Sequence, residues 1–306
     1  MNDYLLDIQH LELCFQMYDK GLHQRQLRVI RDLSLHVAAG EVLAIVGASG
    51  SGKSLLAHAV LGILPENCTS SGCICYDGSV LTEKRLSHLR GREIVFIPQS
   101  VNNLDPRMKV GRQVRGLYGT REQQRRVFAR YGLGQEVEEM YPYQLSGGMA
   151  RRVLVSMAVM HRARLVLADE PTPGLSQVMA KEALMNFHEM ADRDGCGVVI
   201  ITHDIDMALF VADRIAVFYA GSIVESAPRV DFSADGAGLR HPYSRALWQA
   251  LPQNEFSLTE GSQPYIGSAA EGCSYAARCP HCTAECSCRQ NLRVLRGGEV
   301  RCCHAL

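Results

Sequence analysis

The sequence predicts an α/β fold, with a mixed sheet, an antiparallel β subdomain, a helical subdomain and a small Cys-rich C-terminal extension. Three observations predict it. A glycine-rich loop, GASGSGKS over 47–54, joins a continuous apolar run to a segment of helical spacing. Two further apolar runs, at 165–167 and 198–201, flank a helical pattern over 178–192, which is the βαβ rhythm of a parallel sheet. Seven of the 12 cysteines fall in the last 34 residues (Cys273, Cys279, Cys282, Cys286, Cys288, Cys302, Cys303), so the end of the chain is a different material.

The elements follow in order. Leu5, Ile8, Leu11, Leu13 and Phe15 alternate with polar residues, and Leu27–Val37 does so again, as half-buried antiparallel strands would. Glu41–Val46 reads as a strand buried on both faces, and Lys53–Leu64 as the helix after the glycine loop. Glu93–Ile97 is a short strand ending at Pro98 and Gln99, and Val110–His161 is largely helical and charged, with a helix start at Thr120–Gln123. Ile215–Tyr219 and Ser222–Glu225 bracket Ala220 and Gly221 as a hairpin. Beyond Pro228 a polar, glycine-containing linker leads to a short helix over His241–Leu251 and an irregular stretch to Gly272. The expected division is a nucleotide-type domain over 1–228, its helical subdomain at about 100–160, and an extension over 229–306.

Composition excludes several classes. A chain of 306 residues with 47% hydrophobic and 21% charged residues buries enough apolar surface to fold. Lys+Arg and Asp+Glu both number 32, so no global positive field holds nucleic acid by counterion release. No apolar run approaches the ~20 residues that cross a bilayer, and MNDYLLDIQHLEL lacks the parts of a signal peptide. The expectation is a cytosolic chain with reduced thiols that meets any membrane through a partner.

The loop at 47–54 fits G-x-x-x-x-G-K-[ST], the P-loop. Gly47, Ser49, Gly50 and Gly52 would wrap backbone N–H groups around a triphosphate, Lys53 would reach its β- and γ-phosphates, and Ser54 would ligate Mg²⁺. The plainer reading is a glycine turn with a solvated lysine. Arg164–Glu170 (RLVLADE) is an apolar strand that delivers two carboxylates at its C-terminal end, where open α/β sheets bind ligands. Asp169 could hold Mg²⁺ through water and Glu170 could polarise an attacking water; otherwise the two are a solvated acidic pair.

Between these motifs lies LSGGM at Leu145–Met149, and here the chain resembles the ATP-binding subunits of ABC transporters. The resemblance covers about residues 5–228 and rests on GASGSGKS, Gln99, LSGGM, LADEP and His203 in that order. It implies an ABC-type P-loop NTPase with ATP and Mg²⁺ as cofactors, and ATP hydrolysis with Glu170, His203 and Gln99 as catalytic residues. Ser54, Gln99 and Asp169 would serve Mg²⁺, and Gln99 would couple to membrane helices. Ser146, Gly147 and Gly148 form a second anion-binding nest, which in the family caps the γ-phosphate held by an opposing subunit. Phe15 matches the aromatic that stacks on adenine, with Tyr18 as its rival. One departure stands out: Pro173-Gly174-Leu175-Ser176 replaces an Ala-Leu-Asp-like stretch, and Ser176 cannot carry the charge of the usual Asp. This leads us to expect a heterodimer with a related ATPase.

His241–Pro252 and the segment from Gly272 through Arg278-Cys279-Pro280 to Cys286 and Arg301-Cys302 are similar to the extension of the oligopeptide, dipeptide and nickel importer ATPases. Gly62–Pro65 and Met149 are similar to the nickel and dipeptide branch. Some members carry a four-iron four-sulfur cluster, which implies Cys273, Cys279, Cys286 and Cys302 as ligands here, with zinc as the other chemistry. Cys282, Cys288, Cys303 and His304 could replace a ligand or form a second zinc-like site. The resemblance implies a peripheral subunit at the cytoplasmic face of the inner membrane that binds two permease subunits, served indirectly by an extracytoplasmic solute-binding protein. Peptides, nickel and metal chelates all remain open as cargo. The competing readings are a soluble ABC ATPase of DNA repair or translation, and a thiol-rich metal module with a vestigial ATPase; the first would want a coiled coil, paired cassettes or a basic face.

Overall fold

The computed structural model describes residues 4–18, 23–100, 103–116, 119–160, 163–232, 236–254, 256–257, 259–264 and 272–305. The chain divides into two compact units, Met1–His36 with Leu43–Leu81 and His203–Leu306, and Val37–Val42 with Thr82–Thr202.

The first unit contains an antiparallel sheet in the order β2 (Gln24–Ala38), β1 (Tyr4–Tyr18), β4 (Cys68–Tyr76), β5 (Ser79–Val80). Of the residues expected to face inward, Leu5, Ile8, Leu11 and Leu13 are buried and Phe15 is half-buried, while Leu6, outside that pattern, is buried as well. A bulge between Gln9 and Glu12 breaks the register with β4, and Gly72 sits against it at φ 98°, where a Cβ would lie 2.4 Å from the His10 carbonyl oxygen. Only glycine fits there.

The same unit holds β3 (Val42–Val46), parallel to β9 (Arg214–Tyr219), which turns at Ala220–Gly221 into antiparallel β10 (Ser222–Pro228). The expected hairpin is present. Every residue of β3 is buried, as its unbroken apolar run requires. A second hairpin, β11 (Arg293–Leu295) and β12 (Gly298–Val300), extends this sheet through pairing of β12 with β10. Patterning missed it because its strands are three residues long. The C-terminal segment is tied in further by buried Arg240, whose guanidinium donates to Glu225 at 3.3 Å and Asp231 at 2.8 Å, and to the carbonyls of Leu295 and Arg296. Asp32 on β2 receives both Arg301 at 2.8 Å and Arg289 at 2.7 Å.

In the second unit β7 (Leu165–Asp169) lies between β6 (Ile94–Ile97) and β8 (Gly197–Thr202), all parallel, and α6 (Gln177–Asp194) crosses from β7 to β8. The expected βαβ unit is therefore real. The helical block expected over 110–161 is broken into α3 (Val110–Arg115), α4 (Arg121–Arg130) and α5 (Gly147–Met160), with two 3-10 turns between the last two. Gly116, Gly132 and Pro142 supply the breaks. Thr120 and Gln123 form the reciprocal cap of α4, with bonds of 3.2 and 2.9 Å. Buried Glu138 is held by Arg125 and Arg121 at 2.7 and 2.6 Å, and these bonds pull its carboxyl down to about 2. Among the described residues no helix is long and apolar enough to cross a membrane.

Candidate functional site

The loop at 47–54 is fitted to glycine at its start. A Cβ on Gly47 would lie 2.3 Å from the Phe218 carbonyl oxygen, so any other residue would push the end of β3 away from β9. Gly50 and Gly52 turn at φ 73° and 102°. The helix α1 (Lys53–Leu61) starts there with no acidic residue in its first turn, leaving its positive dipole end to an anion. It stops three residues earlier than the pattern to Leu64 suggests, because Gly62 takes the left-handed cap. Lys53 is only 5% exposed. Its Nζ donates to the carbonyls of Gly47 at 2.7 Å and Ala48 at 2.8 Å, and lies 3.5 Å from Ser51 Oγ. Ser49 and Gly50 are exposed at the rim and Ser54 is half-buried.

The second unit brings Asp169, Glu170 and the backbone of Gln99 into one neighbourhood. Buried β7 ends at Asp169, and Glu170 follows at φ 47°, a left-handed conformation for a side chain that gains nothing from it. Such a residue costs about 1–3 kcal/mol and persists only where its surroundings hold it. Here the Glu170 amide donates to the Ile201 carbonyl at 2.8 Å, and Thr202 Oγ1 donates to Glu170 Oε2 at 3.4 Å.

Arg151 is the residue that sequence reasoning missed. It is 5% exposed and forks onto two consecutive carbonyls, Pro98 at 2.9 Å and Gln99 at 2.6 Å. Burial lowers its pKa, while the charges of Glu170 and Asp169 oppose that shift. The Gln99 side chain is thus exposed on a backbone anchored to the carboxylate neighbourhood. The only signal was an arginine five residues beyond Ser146 on the helix after LSGGM.

Ser146 Oγ accepts the Met149 amide at 3.2 Å as α5 begins. Ser146 and Gly147 are exposed, Gly148 is half-buried, and a Cβ on Gly147 would meet nothing within 4 Å. Nothing in the packing of the described residues requires glycine at 147. His203 is exposed after β8, and Asp204 caps α7 (Ile205–Val211) through Met207 N at 3.1 Å. Ser176 is the N-cap of α6, accepting from Met179 N at 3.4 Å, so it retains a local duty without the charge. Phe15 is half-buried opposite Cys68, while Tyr18 is exposed and accepts from Gln24 at 3.4 Å.

In the tail, Cys273, Cys279, Cys286 and Cys302 line one cavity, together with Cys303, His304 and His241. Cys282 and Cys288 are exposed. Burial pushes the Cys302 thiol up to about 11, whereas the hydrogen bond from the Thr283 backbone holds Cys286 below its ordinary value. Converging thiols and imidazole are the donor chemistry of a thiophilic metal, so the residues fit such a group.

Comparison with known proteins identifies the family and the fold. The family model for ABC transporter matches residues 30–173, and that for the oligopeptide/dipeptide transporter C-terminal region matches 224–286. The chain is 30% identical to the oligopeptide transport ATP-binding protein OppD of Escherichia coli (strain K12) over 321 residues, covering 98% of this chain and 93% of that one. It is 31% identical to the dipeptide transport ATP-binding protein DppD of Bacillus subtilis (strain 168), covering 97% and 91%. Among solved structures, a dimeric post-hydrolysis state of the ATP-binding cassette MJ0796 bound to ADP and Pi matches with a TM-score of 0.64 at 23% identity, covering 73% of this chain and 98% of that one. That likeness shows the ABC ATPase fold. At 30% identity over nearly the whole of both chains, and with both family models matched, the chain belongs to the ATP-binding subunits of ABC transporters, in the oligopeptide/dipeptide family.

Proposed function

We propose that this chain energises uptake of peptides through a membrane complex by binding and hydrolysing ATP. Lys53, with the amides around Gly47, Ser49, Gly50 and Gly52, takes the phosphates; Ser54, Gln99 and Asp169 serve Mg²⁺; Phe15 stacks on the base. Phosphoryl transfer asks the protein mainly for position and electrostatics. Glu170 polarises the attacking water, His203 holds it against the γ-phosphate, and Gln99 reports the state of the site to the permease. Ser146, Gly147 and Gly148 cap the nucleotide of a second, related ATPase subunit; that no packing among the described residues needs glycine at 147 supports an external duty.

The complex we infer has two permease subunits and an extracytoplasmic solute-binding protein, with this chain peripheral at the cytoplasmic face of the inner membrane. Residues 1–228 form the nucleotide domain, with a helical subdomain at about 100–160, and 229–306 form a metal-binding extension. That extension holds either a four-iron four-sulfur cluster on Cys273, Cys279, Cys286 and Cys302, or zinc. The observation that carries the peptide reading is the likeness to OppD through the tail.

The test is Glu170→Gln in the complex purified with its permeases. ATP should stay bound while turnover and ATP-driven peptide uptake are lost. Unchanged hydrolysis would remove Glu170 from the chemistry, and uptake of nickel or a metal chelate in place of peptides would reassign the cargo.

A further inference from the structure

A cleft of about 770 Å³ opens in the first unit, with walls from β1, β2, β10 and the tail beyond Gly272. None of its lining residues belongs to the ATP site described above. Its size falls within the ~300–1,000 Å³ of sites that take small molecules.

Four guanidinium groups line the cleft, those of Arg28, Arg31, Arg289 and Arg301, against the two carboxylates of Glu12 and Asp32. The lining therefore carries two positive charges in excess. Asp32 is already shared by two of the arginines, Arg301 at 2.8 Å and Arg289 at 2.7 Å, which leaves Glu12 as the other acid of the lining for Arg28 and Arg31. Arg28 is exposed and has no hydrogen-bond or ion-pair partner among the described residues. Burial, and then the like charge of Arg28, lower the pKa of Arg31. Two cations that repel each other are both relieved by one shared anion.

The backbone holds this arrangement in place. Successive side chains of a strand point to opposite faces, yet Arg31 and Asp32 both line the cleft. The left-handed φ of 45° at Asp32 breaks the alternation, a conformation that persists only where its surroundings hold it. Here the Arg31 amide donates to the Gly221 carbonyl at 2.8 Å, Ser222 Oγ donates to the Arg31 carbonyl at 2.8 Å, and Arg301 donates to the Asp32 carbonyl at 2.8 Å. On the facing wall, the Gln290 side-chain amide donates to the carbonyls of Glu285 and Cys288 at 2.9 and 2.8 Å. Both walls are set before any ligand arrives, which lowers the cost of binding one.

The chemistry of the lining names the class of ligand. Arginine's planar fork matches phosphate oxygens, and a phosphate monoester brings about two negative charges near pH 7, the excess found here. The rest of the described lining is mostly small and polar, with Ser222, Ser274 and Ser287 against a single aliphatic side chain, Val224. Such walls suit a hydroxylated body better than an apolar one. We propose that this cleft binds a phosphorylated, hydroxyl-rich small molecule, with its phosphate held by Arg28 and Arg31. Because the walls come from both β2 and the tail, occupancy ties the extension to the antiparallel sheet.

The experiment titrates ribose 5-phosphate, ribose, succinate and sulfate into the full chain by isothermal calorimetry at low salt, beside Lys53→Ala, Arg28→Ala and Arg28→Lys. One saturable site per chain is expected for ribose 5-phosphate, at least tenfold tighter than for the other three probes. Its affinity should be kept in Lys53→Ala, fall at least tenfold in Arg28→Ala, and lie between these in Arg28→Lys, which keeps the charge without the fork. Arg28 is exposed, so its replacement leaves the core alone. Binding lost in Lys53→Ala would move the phosphate to the P-loop, and ribose binding equally well would take the phosphate out of the recognition. Succinate binding equally well would reassign the cleft to carboxylates, and equal binding of sulfate would mean an adventitious ion only. An affinity unchanged in Arg28→Ala, or no saturable binding at all, would likewise overturn the proposal. ATP turnover and its dependence on Glu170 are read separately, so failure of this site leaves the ATPase reading intact.

Discussion

Replacing Arg151 with leucine tests whether one buried guanidinium holds the loop that carries Gln99. The side chain donates two charge-assisted bonds, at 2.9 Å to Pro98 O and 2.6 Å to Gln99 O. Hydrogen bonds to charged groups contribute about 1.5–3 kcal/mol each, so the ceiling is about 3–6 kcal/mol. The two acceptors are unequal. Gln99 is exposed and water can replace its partner, whereas Pro98 is buried and its carbonyl would stay unsatisfied. Leucine also restores some of the apolar packing. The expected loss for Arg151→Leu is therefore near the lower end, about 3 kcal/mol. Arg151→Lys keeps the charge but not the planar fork, and should lose about half as much. Urea unfolding followed by circular dichroism reads the midpoint shift at constant slope, and ATP turnover measured on the folded fraction should fall with it as Gln99 loses its anchor. Equal losses in Arg151→Lys and Arg151→Leu would refute the fork, and a shift below about 0.5 kcal/mol in both would show that the two bonds add nothing net to stability.

Two further outcomes follow from local geometry. Ser176→Ala removes the N-cap of α6 and should cost about 1 kcal/mol, while Ser176→Asp keeps the cap and should recover that stability in thermal unfolding; a loss in Ser176→Asp as large as in Ser176→Ala would show that the cap is not what Ser176 supplies. Burial alone would raise the pKa of Asp32, but hydrogen bonds from His10, Arg289 and Arg301 reverse this and depress it. A depressed carboxylate contributes stability that is complete above its unfolded value of ~3.9 and is lost as pH falls below that. The melting-temperature gap between the unaltered chain and Asp32→Asn should thus be full at pH 7 and shrink below ~4; asparagine tolerates the φ of 45° at this position, so added strain does not mask it. A gap independent of pH would refute the ionic account.

What could be read without coordinates was local. The glycine loop, the buried run before it and the helix after it are contiguous, so composition and spacing over a few residues determine them, and LSGGM and LADEP declare themselves in the same way. The strand alternation and the reciprocal cap at Thr120 likewise depend on neighbours within a turn or a pleat. Contacts made over long sequence separation were not legible, because side-chain reach depends on where the chain returns. Arg151 meets Gln99 from 52 residues away, and Arg301 meets Asp32 from 269. The left-handed backbone of Glu170 is imposed by the facing Ile201 carbonyl and Thr202 hydroxyl, not by the residue's own preference. The tail makes the same point in small. Twelve thiols can be counted in a sequence, but Cys303 rather than Cys288 is the sulfur beside Cys286, because a 3-10 turn and a hairpin of two three-residue strands decide which thiols converge.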